Sequence, residues 1–402
     1  MNKPKIRFNE FENIWTKSKL GELYEVYSGN TPSRSDNRNY QNGEIPWIKT
    51  TDLNNSIICS NEEKISVYGA TKLKVLPEKS VLIAMYGGFN QIGRTGLLAY
   101  PATINQALVA LMPVNEINPN FLLNFLNFKK ESWRNVAASS RKDPNITKND
   151  VEKFKISFPS LDEQYAIGSL FRTFDDLLNS YKGNLVNYQL LKATMFSKMF
   201  PKAGQTVPEI RLDGFEGEWE VVNLGTLIEN YDEVISGTSG FPIATSSRKG
   251  LYLQNDYFEG GRTGIDLTLD FHRVPIGYVT YRHMSDDSIF KFNKNNFETD
   301  VLVSKEYPVF ISNDSSDIDF LLYHLNNSRL FLRFSTMQKL GGTRVRLYYK
   351  NLITYKLAVP TVKEQQAIGA YFSNLDQLIT SYQEKITQLE TLKKKLLQDM
   401  FI

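Results

Sequence analysis

Pro159-Ser-Leu-Asp-Glu163-Gln164-Tyr-Ala166-Ile167-Gly168 returns 201 residues later as Pro360-Thr-Val-Lys-Glu364-Gln365-Gln-Ala367-Ile368-Gly369. The match continues through Phe171 and Phe372, Asp175 and Asp376, Ser180-Tyr181 and Ser381-Tyr382, and Leu191-Lys192 and Leu392-Lys393. It ends at Met199-Phe200 and Met400-Phe401. A period this long marks a duplicated domain, not a solenoid of short repeats.

Both copies read as long helices. Apolar residues recur in steps of three and four, as in Leu375, Leu378, Ile379, Tyr382, Ile386 and Leu389, and in Phe174, Leu177, Leu178, Tyr181 and Leu185. That spacing defines one stripe along a helix. A narrow stripe that would run roughly 58 Å calls for a partner helix. The other copy is the candidate partner, giving an antiparallel coiled coil within one chain. The alternative is two ordinary amphipathic helices, each packed on its own domain.

A second matched block precedes each helix. Ile6-Arg7-Phe8, Phe11-Glu12, Trp15 and Leu20-Gly21 correspond to Ile210-Arg211-Leu212, Phe215-Glu216, Trp219 and Leu224-Gly225, here offset by 204. Between these frames the two halves do not resemble each other. The organisation is a globule at 1–158, a helix at 159–200, a linker at 201–208, a second globule at 209–359 and a helix at 360–402. Val81–Met85 and Ala107–Leu111 read as strands, and Phe121–Phe128 and Phe320–Phe334 as helices. The expected class is α+β, each globule built on a mostly antiparallel sheet. Matched frames around unmatched interiors suggest one scaffold carrying two different readers.

The chain has 402 residues, a length that accommodates two or three domains. Cys59 is its one cysteine, which excludes an internal disulfide framework and fits a reducing cytosol. No apolar run approaches 18 residues, so neither a membrane span nor a signal peptide is expected, and the expected location is the cytoplasm. Net charge is only +3, so its distribution matters more than its sum. From Phe320 to Lys363 there is no Asp or Glu, while Arg329, Arg333, Lys339, Arg344, Arg346, Lys350, Lys356 and Lys363 all fall there. Segregated basic charge on a near-neutral body suits a surface that meets phosphate. A solvated helix and hairpin is the plainer account.

The motifs of an enzyme are missing. Asn118-Pro119-Asn120-Phe121 lacks the second proline of an amino-methyltransferase motif and reads as a helix start. Gly87-Gly88 to Gly93 lacks the Gly-Lys-Ser/Thr ending of a P-loop. Asp52 with Glu62-Glu63-Lys64 is the nearest nuclease-like pattern, and such patterns arise often by chance. His272, His283, His324 and Cys59 give no zinc spacing. No catalytic residue, metal or cofactor is therefore expected.

Taken together, the chain resembles the specificity subunit of Type I restriction–modification systems. The motifs that carry the resemblance are Gly29-Asn-Thr31-Pro32-Ser33 leading to Gly43-Glu-Ile45-Pro46-Trp47-Ile48, then Ile92-Gly93-Arg94-Thr-Gly96 leading to Ile104-Asn105-Gln106, then the duplicated Glu-Gln block. They cover nearly the whole length in the right order. The second globule departs from the pattern, lacking the Thr-Pro-Ser and Ile-Pro-Trp block. The resemblance implies two target-recognition domains, each reading one half of a split sequence in double-stranded DNA. It implies that the helices fix the gap and dock two modification (methyltransferase) subunits, and that restriction (helicase–nuclease) subunits join the complex. It implies no catalytic role for the chain itself.

Base reading points to particular loops, because Arg reads guanine and Asn or Gln reads adenine through paired hydrogen bonds, while Lys and Arg set register on phosphates. In the first globule the candidates are Ser33, Arg34, Arg38, Asn39 and Tyr40, then Lys49 and Thr51, then Asn90, Gln91 and Arg94, then Arg141 and Lys142. In the second they are Ser246, Ser247, Arg248 and Lys249, then Tyr281, Arg282 and His283, then Lys339, Arg344, Arg346, Tyr348 and Lys350.

Overall fold

The computed structural model describes residues 3–88, 90–137, 145–257, 266–339 and 344–402. Among them are six helices of eight residues or more: α1 (Pro119–Phe128), α2 (Lys130–Ala137), α3 (Leu161–Met199), α4 (Ile318–Asn327), α5 (Arg329–Met337) and α6 (Val362–Met400). None of the helices in the described residues is long and apolar enough to cross a membrane. The chain divides into two compact units that interleave in sequence. The first holds residues 1–184 together with 382–402, and the second holds 185–381.

The first unit is built on a five-stranded sheet in the order Val26–Ser28, Leu108–Leu111, Val81–Ala84, Thr95–Leu98, Ser56–Ile58. Its pairings are antiparallel except the last, which is parallel. The strands Val81–Ala84 and Leu108–Leu111 are buried throughout. Val81, Ile83, Val109 and Leu111 face Phe121, Leu122 and Phe125 of α1, while Leu82, Ala84, Leu108 and Ala110 face Ile48 and Ile104. Cover on both faces explains why these strands are continuous apolar runs rather than alternating ones.

In the second unit a four-stranded antiparallel sheet runs Ile228–Tyr231, Val309–Ser312, Val279–Tyr281, Phe292–Lys294. Beside it lie a three-stranded sheet, Val234–Ser236, Asp270–Val274, Val301–Ser304, and the hairpin Ala244–Ser247/Gly250–Leu253. The first four strands of the first sheet and the four strands of this one thus follow the same antiparallel order although their sequences do not match, and the units differ in the strands added around that shared sheet. The frames agree: Thr16–Lys19 pairs antiparallel with Lys155–Phe158, and Glu220–Asn223 pairs in the same way with Lys356–Val359.

The region read as one helix from Phe320 to Phe334 is two helices. The chain breaks at Ser328, whose backbone is extended and whose Oγ accepts from the amides of Leu330 and Phe331, capping α5. Capping by serine competes with helix continuation and is invisible to apolar spacing.

Each unit contains an antiparallel helix pair. In the first, Lys182 Nζ reaches Glu390 at 2.6 Å, Lys393 pairs with Asp175, and the Tyr181 and Tyr382 rings lie 5.3 Å apart. From Asp175–Lys393 to Lys182–Glu390 the partner number falls as the α3 number rises, which fixes the direction. In the second, Lys192 pairs with Asp376, and the Phe196 and Phe372 rings lie 6.1 Å apart. Lys192–Asp376 and Lys393–Asp175 are one interaction made twice, each member displaced by the 201-residue repeat.

The Glu-Gln block holds each helix to its frame. Glu163 accepts two bonds from Arg7, from Nε and Nη2, both at 2.7 Å; Glu364 accepts from Arg211 at 2.7 and 2.6 Å. Gln164 Oε1 accepts from the Asn118 amide while its Nε2 donates to the carbonyls of Pro159 and Glu116. Gln365 repeats this with the Asp317 amide and the carbonyls of Pro360 and Ser315. A Cβ on Gly168 would stand 2.8 Å from Asn118 Oδ1, and one on Gly369 would stand 2.8 Å from Asp317 Oδ1. Those two oxygens cap α1 and α4. Glycine is needed because the cap of a neighbouring helix occupies the space.

Removing one partner of a buried ion pair strands the other charge, at a cost of about 3–5 kcal/mol. Glu364 is 1% exposed at its side chain. Arg211→Ala is therefore expected to lower the denaturant midpoint of the second unit by a stability loss of that size. An unchanged urea transition would show that the pair does not anchor α6.

His324 supplies an acid dependence. It is buried on the Phe200 ring, its Nε2 lies 2.8 Å from Tyr355 Oη, and burial draws its pKa down to about 4. The unfolded imidazole titrates near 6.5, so this contribution is complete above pH 6.5 and is lost as pH falls from 6.5 toward 4. His324→Gln should flatten the stability–pH curve in that window relative to the parent chain. Parallel curves would remove His324 from the acid response.

Candidate nucleic-acid interface

Three segments far apart in sequence meet in the second unit. The hairpin Ala244–Ser247/Gly250–Leu253 turns through Arg248-Lys249, with Ser247 opposite Gly250. Gly250 has φ +142°, which suits glycine at the end of so tight a turn. Strand Met284–Ser285 pairs with Val345–Arg346, setting Met284 opposite Arg346. The Leu347 amide donates to the His283 carbonyl at 2.8 Å, and Tyr281 Oη donates to the Leu347 carbonyl at 2.9 Å. The acid-free segment is thereby tied to residues 281–285. Residues 245–249 and 282–287 line a cavity of about 820 Å³.

Charges around this cavity fall into two kinds. Arg248 grips Asp287 through both Nη atoms, one at 2.8 Å, and Arg344 Nε bonds Asp286 at 2.8 Å. Lys249, Arg282 and Arg346 are exposed and have no ion pair among the described residues, as do Lys339 and Lys350 farther along. Tyr348 is 41% exposed and stacks on His283 with ring centres 5.5 Å apart. Free cations beside an exposed aromatic ring are a surface suited to phosphate and base edges.

Several residues chosen from sequence serve the fold instead. Tyr281 is fully buried and its hydroxyl is committed to Leu347; burial pushes its pKa well above the phenol range. His283 is 4% exposed, and burial, with Arg346 and Arg282 nearby, holds the imidazole below its ordinary range, so it is no cationic contact. Ser246 is buried and accepts from Asn293 Nδ2 at 2.8 Å. Ser247 Oγ donates to the Gly250 carbonyl and accepts from the Lys249 amide, shaping the turn.

The first unit presents a tighter arrangement. Arg34 lies over the Tyr40 ring at 4.3 Å and near Trp47 at 5.2 Å, and pairs with Glu63, which also holds Lys49 at 2.7 Å. Arg38 is clasped by Asp36 at 2.9 and 3.0 Å and covers the Tyr68 ring. Tyr40 Oη donates to the Pro32 carbonyl. Asn39 is fully buried: its Nδ2 donates to the Ser33 carbonyl and its Oδ1 accepts from Lys72, so its expected surface position is corrected. Ser33 and Thr51 are exposed.

Asn90, Gln91 and Arg94 lie on the loop that joins strands Val81–Ala84 and Thr95–Leu98. Gly87, Gly88 and Gly93 there all have positive φ. A Cβ on Gly87 would stand 4.0 Å from Thr50, so the loop borders the Lys49–Asp52 turn. Asn90 is exposed; Arg94 is half-buried without an ion pair among the described residues. Arg141 and Lys142 lie outside the described residues. Of the nuclease-like carboxylates, Asp52 accepts from the Lys49 amide, Glu63 pairs with Arg34 and Lys49, and Glu62 is exposed. Among the described residues no cluster of three His, Cys, Asp or Glu is placed to hold a metal.

Asp286 and Asp287 were missed in the sequence, because two acids beside a basic dipeptide give no local sign that they hold arginines 58 and 39 positions away. Lys291 was missed as well; it is half-buried on the same cavity, and burial lowers its pKa.

Comparison with known proteins agrees with this architecture. The EcoR124I/EcoR124II type I restriction enzyme specificity subunit of Escherichia coli is 28% identical over 49% of this chain and 51% of its own length. The chain thus spans about half of that relative. The MjaVIII specificity subunit of Methanocaldococcus jannaschii is 22% identical over 95% of this chain and 91% of its own. In structure, the S subunit of a Type-I restriction-modification system from M. genitalium superposes with a TM-score of 0.63 at 15% identity, covering 100% of this chain and 99% of that one. The Type I restriction modification DNA specificity domain matches residues 12–188 and 241–391, one stretch in each half of the duplication. With most of its length matched, the chain belongs to the Type I restriction modification DNA specificity domain family.

Proposed function

We propose that this chain is the DNA-recognition subunit of a type I restriction–modification complex. The first globule, 1–158, reads one half of a bipartite duplex target and the second, 209–359, reads the other. The long helices, 159–200 and 360–402, set the gap and dock two modification subunits, and restriction subunits join through the complex. The chain performs no chemistry itself and works in the cytoplasm. The observation that carries this reading is the convergence of Arg248-Lys249 and Arg282 on one cavity in the second unit, with Arg346 on the ladder opposite the cavity residue Met284. Duplicated frames around unmatched sequences and different added strands support two independent readings. Sequencing the methylated bases of a host with and without this chain tests it: a bipartite methylated sequence should appear only with the chain.

Arg346 has no acidic partner among the described residues, whereas Arg344 has Asp286. A free cation on phosphate adds a sequence-independent term. Arg346→Ala in the assembled complex should weaken all DNA alike and reduce the salt slope by about one. Loss of preference at a single base pair would instead make Arg346 a base reader, and wild-type binding would remove it from the interface.

The helices yield a second expectation. Lys182 and Gly183 are exposed, and a Cβ on Gly183 would meet nothing within 4 Å, so new side chains there meet no neighbour. Four added residues lengthen a helix by about 6 Å and nearly preserve its stripe. At about 3.4 Å per base pair, the gap between unchanged half-sites should grow by one or two base pairs. Two added residues rotate the stripe by about 200° and should abolish activity. An unchanged gap with four residues, or normal activity with two, would show that the helices do not set the spacing.

A further inference from the structure

Arg248 and Lys249 are neighbours on one two-residue turn and meet very different surroundings. Lys249 is exposed with no ion pair among the described residues. Arg248 is gripped by the Asp287 carboxylate through Nη1 and Nη2. Asp287 is itself fixed: its Oδ1 accepts from Ser285 Oγ at 2.9 Å and from the Ile289 amide at 3.2 Å. Ser285 is held in turn by the ladder to Val345. The hydrogen bond from Arg248 is the largest influence bringing Asp287 down to about 2, so the carboxylate stays charged throughout the working pH range.

Both side chains are about half exposed, Arg248 at 57% and Asp287 at 46%. Exposed pairs contribute little to stability, so the fold does not require this one. Its effect is on the guanidinium. A guanidinium has two hydrogen-bonding edges, and the edge formed by both Nη atoms is used by Asp287. The other, formed by Nε and one Nη, has the two parallel donors that match guanine O6 and N7. The nearest further contact, Nη2 to Ser285 Oγ, is long at 3.5 Å. A long flexible side chain is thus ordered before DNA arrives, and its charge is balanced, which weakens its attraction for any passing phosphate.

We propose that Arg248 reads a guanine in the half-site of the second unit and that Asp287 is its positioning residue, holding the fork in place and suppressing sequence-independent binding. Lys249, one residue away, contacts backbone phosphate. This rests on the DNA-recognition reading above and names which residues discriminate within it.

The test uses the chain assembled with its modification subunits and a panel of duplexes carrying single base-pair changes in the target. Arg248→Ala should cost about 5- to 150-fold in preference at one G·C pair. Arg248→Lys should lose the same preference, since an ammonium keeps the charge and lacks the fork. Asp287→Asn should relax preference at that same pair while non-target DNA binds more tightly with a salt slope steeper by about one. Lys249→Gln should weaken every duplex equally. If Asp287→Asn leaves the base preference and non-target binding unchanged, or Arg248→Lys behaves as wild type, the positioning role is overturned while Lys249→Gln still reports an interface. If Lys249→Gln and Arg282→Gln also leave binding untouched, the interface itself is misplaced.

Discussion

Each compact unit is closed by an aromatic ring delivered at the far end of a long helix. Phe401 packs on Phe121, Phe171 and Trp15, with ring centres 5.4, 5.8 and 6.3 Å away. Phe200 packs on Phe320, Trp219 and Phe372 at 5.3, 6.0 and 6.2 Å. Both are almost fully buried. Truncating a core phenylalanine costs about 3–5 kcal/mol, a large part of a domain's stability. The first unit completes its core only with the distant segment 382–402, and the second needs the end of the helix that begins in the first. Helix length is constrained accordingly: both helices carry 39 residues between an anchored Glu-Gln start and an aromatic end.

The frame is therefore held by a small set of residues. Arg7 with Glu163, Gln164 across a loop, and Gly168 under a helix cap recur as Arg211, Glu364, Gln365 and Gly369. Inside that frame the first unit runs five strands with a parallel edge and the second runs four antiparallel strands. The interiors share the terminal ladder, the helix latch and the order of four antiparallel strands, and differ in the strands added around them. A scaffold of this kind lets a reading surface change without altering where its helices begin and end.

What was legible in the sequence follows the range of the interactions. The duplication, the helix pair and the buried strands at 81–84 and 108–111 come from repeats and local apolar pattern, and each stands in the structure. The break at Ser328 was missed because a capping hydroxyl overrides an apolar stripe that runs straight through it. Site residues were chosen for chemical type, and type does not encode burial. Asn39, Ser246, Tyr281 and His283 are of the kinds that read DNA, yet each spends its polar atoms or its surface inside the fold. Arg248 and Arg282, of the same kinds, lie on the cavity rim because a two-residue turn and a strand end put them there. No single-residue property separates these two groups; the pairing of strands distant in sequence does.

Net charge misleads in the same way. The second unit contains the acid-free basic segment, yet residues 201–359 as a whole hold more acids than bases. Some of its acids are committed to fixed partners: Asp300 and Glu233 to Arg273, and Asp319 to Lys294. Such pairs take charge out of the outward field, so the local field depends on which charges are left over in one place. Lys249, Arg282 and Arg346 are left over together, on neighbouring turns and strand ends, while Arg248 and Arg344 beside them are balanced. A surface that attracts a polyanion only weakly until it finds the correct bases needs this mixture, because unbalanced cations alone would hold any duplex with nearly equal strength.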